Sequence, residues 1–233
     1  MTKTGTCGGA SGAFVAVAFR SLFVTPLYEA DITDERGFGP ADFVEFNAEL
    51  EAACLSLAQE DRAGRAWAKA HGYPGYTSYA SLDDLPTRAS VFGDLKRRLD
   101  RHAASFADDL ALDLGRRRLR LDSLWVNVLR PARSGGASHS GHVHPLSVIS
   151  GTLYVTTPPG SGAIRFEDPR LPMMMAAPPR LQDAPETRRL FVSIDPRPGL
   201  LLLWESWLRH EVTSGSAKAA RISISFNYAW SPG

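Results

Sequence analysis

The chain has 233 residues, 44% of them hydrophobic and 22% charged, with a net charge of +1. That is ordinary for a soluble globular protein with one sizeable core. It leaves no basic surface for nucleic acid, and Arg116-Arg117-Arg118, the one dense basic run, reads as a solvated turn or helix end. Only Cys7 and Cys54 are present, too few for a disulfide framework or a cysteine-rich zinc site, so a cytoplasmic location is expected.

The opening "MTKTGTCGGASG" is small and polar, and residues 1–18 are expected to form a disordered tail and lead-in. The apolar run "AFVAVAF" (Ala13 to Phe19) is too short to span a bilayer and lacks the charged start of a secretion signal; it reads as a first strand. No membrane association follows from it. Residues 40–70 read as a helix, with Pro40 in its first turn and Phe43, Phe46, Leu50, Ala53 and Leu57 at helical spacing. A polar loop, "HGYPGYTSYASLDDLP", separates it from a second helix over 87–112, whose stripe is Val91, Leu95, Leu99, Ala103, Phe106 and Leu110. Both stripes read as core faces.

After "GRRRLRLDS" the pattern changes to alternation and short apolar runs. Strands are expected near 119–129, 139–144, 147–157, 162–168, 189–195, 199–205, 207–213 and 220–229, with Gly/Pro turns between them. Eight such strands suggest a β-sandwich or barrel of jelly-roll type. One segment breaks the rhythm. Residues 168–189, "DPRLPMMMAAPPRLQDAPETRR", are proline-rich and carry no strand signal; they are either a covering lid or a loop tucked onto the barrel.

Three short stretches carry chemistry. In "SHSGHVHPLSVISG" the side chains of His142 and His144 would share one face of a strand, a pairing that suits a divalent transition metal. A bare His-x-His also arises from hydrogen-bonded histidines that bind nothing. His139 reads as a loop residue outside the pair, and His71 and His102 fall in the helical half with no evident role. In "LLLLWESWLRHEV", His210 sits on a late apolar strand, where a lone histidine is more often a satisfied core residue. In "ARISISFNY", Arg221, Ser223, Ser225 and Asn227 alternate with Ile222, Ile224, Phe226 and Tyr228. An arginine on the polar face of a buried strand needs an anionic partner, either a protein carboxylate or a bound one.

Taken in order, His-x-His, a distal histidine and Arg-x-Ser resemble the Fe(II)- and 2-oxoglutarate-dependent oxygenases. More closely, "LWVNV", "HVHPLSVISGTLYV", "GAIRFEDPR", "WESWLRHEV" and "RISISFNY" resemble a family of bacterial 2-oxoglutarate/Fe(II) oxygenases. The resemblance runs from about Phe23 to Tyr228 and is densest from Trp125 onward. It implies an α+β, mainly β fold: a double-stranded β-helix (jelly-roll) core over about 119–230, supported by helices from about 40–112. Together these make a single oxygenase domain over 19–233.

The resemblance also implies a site. His142 matches the first iron ligand and His210 the distal ligand; Arg221 and Ser223 match the anchor of the cosubstrate's far carboxylate. Asn127 and Tyr154 match polar positions at the wall of the cosubstrate site, and either could equally be a buried polar residue satisfied by backbone. Asp168 and Arg170 are candidate substrate contacts. The departure is His144, which stands where the superfamily usually has a carboxylate. Glu167, Asp168 and Glu205 are the alternative third ligands, with Glu205 at an odd offset from His210; His144 is preferred. Three neutral imidazoles would leave the Fe(II) site at +2 instead of +1, a stronger attractor for dianionic 2-oxoglutarate. The implied partners are dioxygen and an unidentified substrate, hydroxylated as 2-oxoglutarate is decarboxylated to succinate and CO₂. Rival readings are a cupin-type metal dioxygenase without 2-oxoglutarate, a non-catalytic metal-binding sensor or interaction module, and a structural barrel. The cupin reading lacks its glutamate, since Val148 and Ile149 occupy the place, and leaves Arg221 unexplained.

Overall fold

A computed structural model describes residues 18–35, 37–131 and 137–231. The expected tail and most of "AFVAVAF" lie outside the described residues. Ala18 and Phe19, the described end of that run, are in no strand, and the first strand among the described residues, β1 (Tyr28–Asp31), comes after it.

The helical half follows its apolar spacing but is cut differently. Helix α1 (Pro40–Glu60) starts with Pro40 directly after Gly39, and the Gly39 N–H donates to the Asp42 carboxylate at 2.8 Å. Its buried stripe is Phe46, Leu50 and Cys54. The expected single helix breaks at Asp61, whose extended backbone starts α2 (Arg62–Ala70). The Asp61 carboxylate accepts from the Gly64 N–H at 2.9 Å, and from the hydroxyls of Tyr76 and Ser81 at 2.9 and 2.6 Å. The break is therefore held by contacts to the next segment. That segment, expected to be loop, contains β2 (Gly75–Thr77) and a short helix, α3 (Leu85–Arg88). Helix α4 (Ser90–Asp109) buries Val91, Leu95, Leu99, Ala103 and Phe106 as expected, and its N-terminus falls three residues later than the expected one.

All eight expected strands form: β3 (Arg118–Leu129), β4 (His139–His142), β5 (Ile149–Thr156), β6 (Ile164–Glu167), β7 (Phe191–Ile194), β8 (Leu200–Glu205), β9 (His210–Val212) and β10 (Arg221–Ser231). They build two antiparallel sheets. The larger has the order β1-β8-β5-β10-β3-β2, the smaller β4-β9-β6-β7. The fold is α+β, a double-stranded β-helix with helices supplied by the N-terminal half. Two cores flank the larger sheet. On one face Val126, Leu153, Leu203, Ile222, Ile224 and Phe226 pack against the stripes of α1 and α4. On the other, between the sheets, Tyr154, Ile164, Phe166, Leu202, Trp204 and Leu208 cluster. The alternation in β10 explains the division: Ile222, Ile224 and Phe226 go to the helical core, which leaves Arg221, Ser223 and Ser225 facing the barrel interior.

Candidate active site

Strands β4 and β9 pair with His142 directly opposite His210. Strand β4 is shorter than expected and stops at His142, after a bulge between His139 and His142. His144 therefore lies in the turn that follows, not on the strand. Its N–H donates to the Ser206 carbonyl at 3.0 Å, which ties this turn to the one between β8 and β9. The convergence expected from strand alternation is reached by this backbone bond instead. Ring centroids are 4.5 Å apart for His142 and His210, 5.0 Å for His142 and His144, and 5.2 Å for His144 and His210. One nitrogen of each lies within 4.8 Å of the others, a grouping that suits one divalent ion.

The tautomers of two of the three are set by the chain. The Nδ1–H of His142 donates to the Ser140 carbonyl, and that of His210 to the Leu208 carbonyl, each at 2.9 Å. A carbonyl can only accept, so Nδ1 carries the proton and Nε2 keeps its lone pair for a metal. Burial pushes His210 down to about 3, despite the Leu208 carbonyl. Burial, with His142 and His139 adding to it, pushes His144 to about 4. Both are thus neutral and ready to coordinate at pH 7.

His139, expected in a loop, is instead the first residue of β4, and its Nδ1 lies 3.1 Å from the His142 Nδ1. It falls outside the metal-binding group. The alternative carboxylates are also outside that group. Glu167 accepts from the Arg209 Nε–H at 3.2 Å, and Asp168 is held by Arg170 at 2.8 Å.

Beside the triad is a cavity of about 330 Å³. Arg221, Ser223, Asn127 and Tyr154 all line it, as do the three histidines. Register explains the grouping: Ser223 on β10 is flanked by Asn127 on β3 and Tyr154 on β5, so the three share one face. Arg221 is 6% exposed, and among the described residues no carboxylate pairs with it. Its Nε and the Tyr154 hydroxyl are buried without a hydrogen-bond partner. The guanidinium sits 5.0 Å from the centre of the Tyr154 ring. A buried, unpaired arginine is costly unless something anionic enters the cavity. Asn127 is more fully engaged, accepting from the Tyr73 hydroxyl at 2.9 Å and donating to Ser225 Oγ at 3.1 Å.

Sequence reasoning missed the aromatic side of the cavity: Trp67 on α2, Tyr73 and Tyr79 flanking β2, and Trp204 on β8. The tyrosine density of "HGYPGYTSYASLDDLP" was the available signal. Asp168 and Arg170, paired to each other, do not line the cavity, and neither does any residue of 169–189. That segment carries 3₁₀ turns at Leu171–Met173 and Glu186–Arg188 and leaves Met173 and Met175 exposed, so it is no cover for the cavity here.

A double-stranded β-helix with a histidine triad beside an arginine-bearing cavity is a fold and site that could hold a metal ion next to an anionic ligand. Residues 123–227 match the sequence model of the family described as "Putative 2OG-Fe(II) oxygenase". Over this core, a little under half of the chain, the protein is similar to the 2OG-Fe(II) oxygenases. Fe(II) and 2-oxoglutarate are the cofactors the family implies, and the triad is consistent with an iron site. The fold is similar to that of a prolyl-4-hydroxylase from Pseudomonas putida, with 18% identity, 89% of this chain and 94% of that one covered, and a TM-score of 0.54. AviO1 from Streptomyces viridochromogenes matches at 14% identity, over 88% of this chain and 90% of that one, with a TM-score of 0.56. HygX from Streptomyces hygroscopicus, solved with nickel and 2-oxoglutarate bound, matches at 17% identity, over 89% and 83%, with a TM-score of 0.51. No curated protein sequence matches the chain.

Proposed function

We propose that the enzyme hydroxylates a C–H group of a substrate not yet identified. In the same turnover dioxygen is consumed and 2-oxoglutarate is decarboxylated to succinate and CO₂. His142, His144 and His210 hold the iron. Arg221 and Ser223 hold the far carboxylate of 2-oxoglutarate, with Tyr154 and Asn127 on either side of Ser223. Iron, when bound, supplies the site at which the keto acid and dioxygen react. The protein's share is to fix the three imidazoles with Nε2 free, to neutralise the buried carboxylate, and to keep water out.

The observation that carries this reading is Arg221. It is buried, lacks a protein carboxylate among the described residues, and shares one cavity with the histidine triad. A guanidinium fork matches a carboxylate bidentately. Asp168 and Arg170 stand outside this cavity, so they would meet only a substrate that extends beyond it.

The test is spectroscopic. Protein mixed anaerobically with Fe(II) should develop the visible charge-transfer band of the iron–keto acid chelate when 2-oxoglutarate is added. Iron bound without that band would overturn the proposal in favour of a cupin-type or sensor role.

A further inference from the structure

Among the described residues, the walls of the cavity hold no aspartate or glutamate. Their ionisable groups, among the same residues, are four histidines, Arg221 and three tyrosines. In the common two-histidine, one-carboxylate site the charges balance: iron at +2, the ligand carboxylate at −1, the anchoring cation at +1 and 2-oxoglutarate at −2. Here His144 replaces the carboxylate, so the same count leaves the loaded cavity at +1. This count rests on the function proposed above. With no acid in the walls to offset it, the surplus acts directly on whatever enters next to the iron.

The entrance adds a second constraint. Trp67, Tyr79 and Trp125 stand in sequence along the wall, with ring centroids 6.4 Å apart at 60° and then 5.2 Å apart at 72°. Trp125 in turn lies 5.8 Å from the ring of His144. Trp67 uses one face to stack on His71, at 4.2 Å, and none of the three is stacked flat on another. Flat aromatic surface is thus left for a further ring on the way to the metal site. Tyr79 is 57% exposed, which core packing does not account for. A cavity of about 330 Å³ must also seat 2-oxoglutarate, and it lies at the low end of ligand sites.

We infer that the substrate is a small organic acid carrying a planar unsaturated ring. The ring lies against Trp67, Tyr79 and Trp125, and the anionic group is drawn toward the surplus positive charge beside His144 and Arg221. An ammonium-bearing ring, the other ligand that aromatic walls accept, is disfavoured by the same charge.

The experiment uses the anaerobic Fe(II)–2-oxoglutarate complex of the full chain. Phenylacetate, phenylacetamide, phenethylamine and cyclohexylacetate are titrated in, following tryptophan fluorescence and the chelate band. Phenylacetate should bind about tenfold or more tighter than phenethylamine, and tighter than both the amide and the saturated acid. Trp67→Ala and Tyr79→Ala should each weaken phenylacetate by roughly three- to tenfold, while the chelate band before probe addition stays as in wild type. Equal affinities, a preference for the amine, or no binding of the acid at millimolar concentration would overturn the inference. If the chelate band is missing before any probe is added, it is the oxygenase function that fails. A normal band without preference for the acid sinks the substrate class alone.

Discussion

Arg221 shows how far single residues can be read. Its place on an alternating strand with serines marks it as a buried cation in need of an anion, and the sequence supports that reading. What alternation cannot supply is the identity of the anion, because a carboxylate from a distant strand would look the same. The structure removes the protein option among the described residues, and burial at 6% exposure makes the need strong. Arg221→Ala should therefore weaken 2-oxoglutarate binding by about ten- to a hundredfold, the cost of a charged hydrogen bond, and leave iron content unchanged. Calorimetric titration with parallel metal analysis separates the two; unchanged 2-oxoglutarate affinity would remove Arg221 from the anchor. His210→Ala should do the reverse and lower iron content sharply, since His210 faces His142 across the β4–β9 pair. His144 was legible as a ligand candidate for a partly wrong reason. Strand alternation would place it beside His142, but β4 has ended by then, and a bond to Ser206 aims it.

At the scale of elements, strands and helices with a strong period were legible, and those decided by distant partners were not. The division of 40–70 into α1 and α2 turns on Asp61, which reaches Tyr76 and Ser81. Neither residue belongs to the window in which a helix is read. Strand β2 is three residues long and exists by pairing with β3, so "GYT" has no signal of its own. By contrast β5 is legible, and its Gly151 has a packing reason. A β-carbon there would collide with the Phe226 ring and stand 2.7 Å from the Leu202 carbonyl. Gly151→Ala should cost about 1–3 kcal/mol and lower Tm by roughly 2–12 °C, as measured by calorimetry. An unaltered Tm would mean that β5, β8 and β10 have slack at the centre of the larger sheet.

For the whole molecule, the site creates a pH dependence of stability in the metal-free form. Burial lowers His210 to about 3 and His144 to about 4, and also lowers His142 and His139, all from an unfolded value of 6.5. The folded state thus resists protons that the unfolded chain accepts below 6.5. Stability is full above that value and is lost as pH falls toward 3. Between 6.5 and 4.5 these histidines dominate, since Glu35 and Asp61 begin to lose their own contribution only below about 4.5. Urea unfolding of metal-free protein should show a lower midpoint at pH 5 than at pH 7.5. An equal or higher midpoint at pH 5 would contradict the buried, neutral triad. The molecule as a whole was legible as a helix-supported double-stranded β-helix; its aromatic entrance was not, because the chain segments that form it meet only through β2.

The bond from the His144 N–H to Ser206 has a neighbour, from the Ser206 N–H to Val148, and Val148 in turn donates to the Tyr228 carbonyl. These three backbone links stitch the turn carrying one ligand to the turn preceding another and to the last strand. The backbone positions of His144 and of the turn before His210 are consequently tied to each other. A change in either turn or in the last strand would therefore be felt at the other two, and through them at the histidine triad.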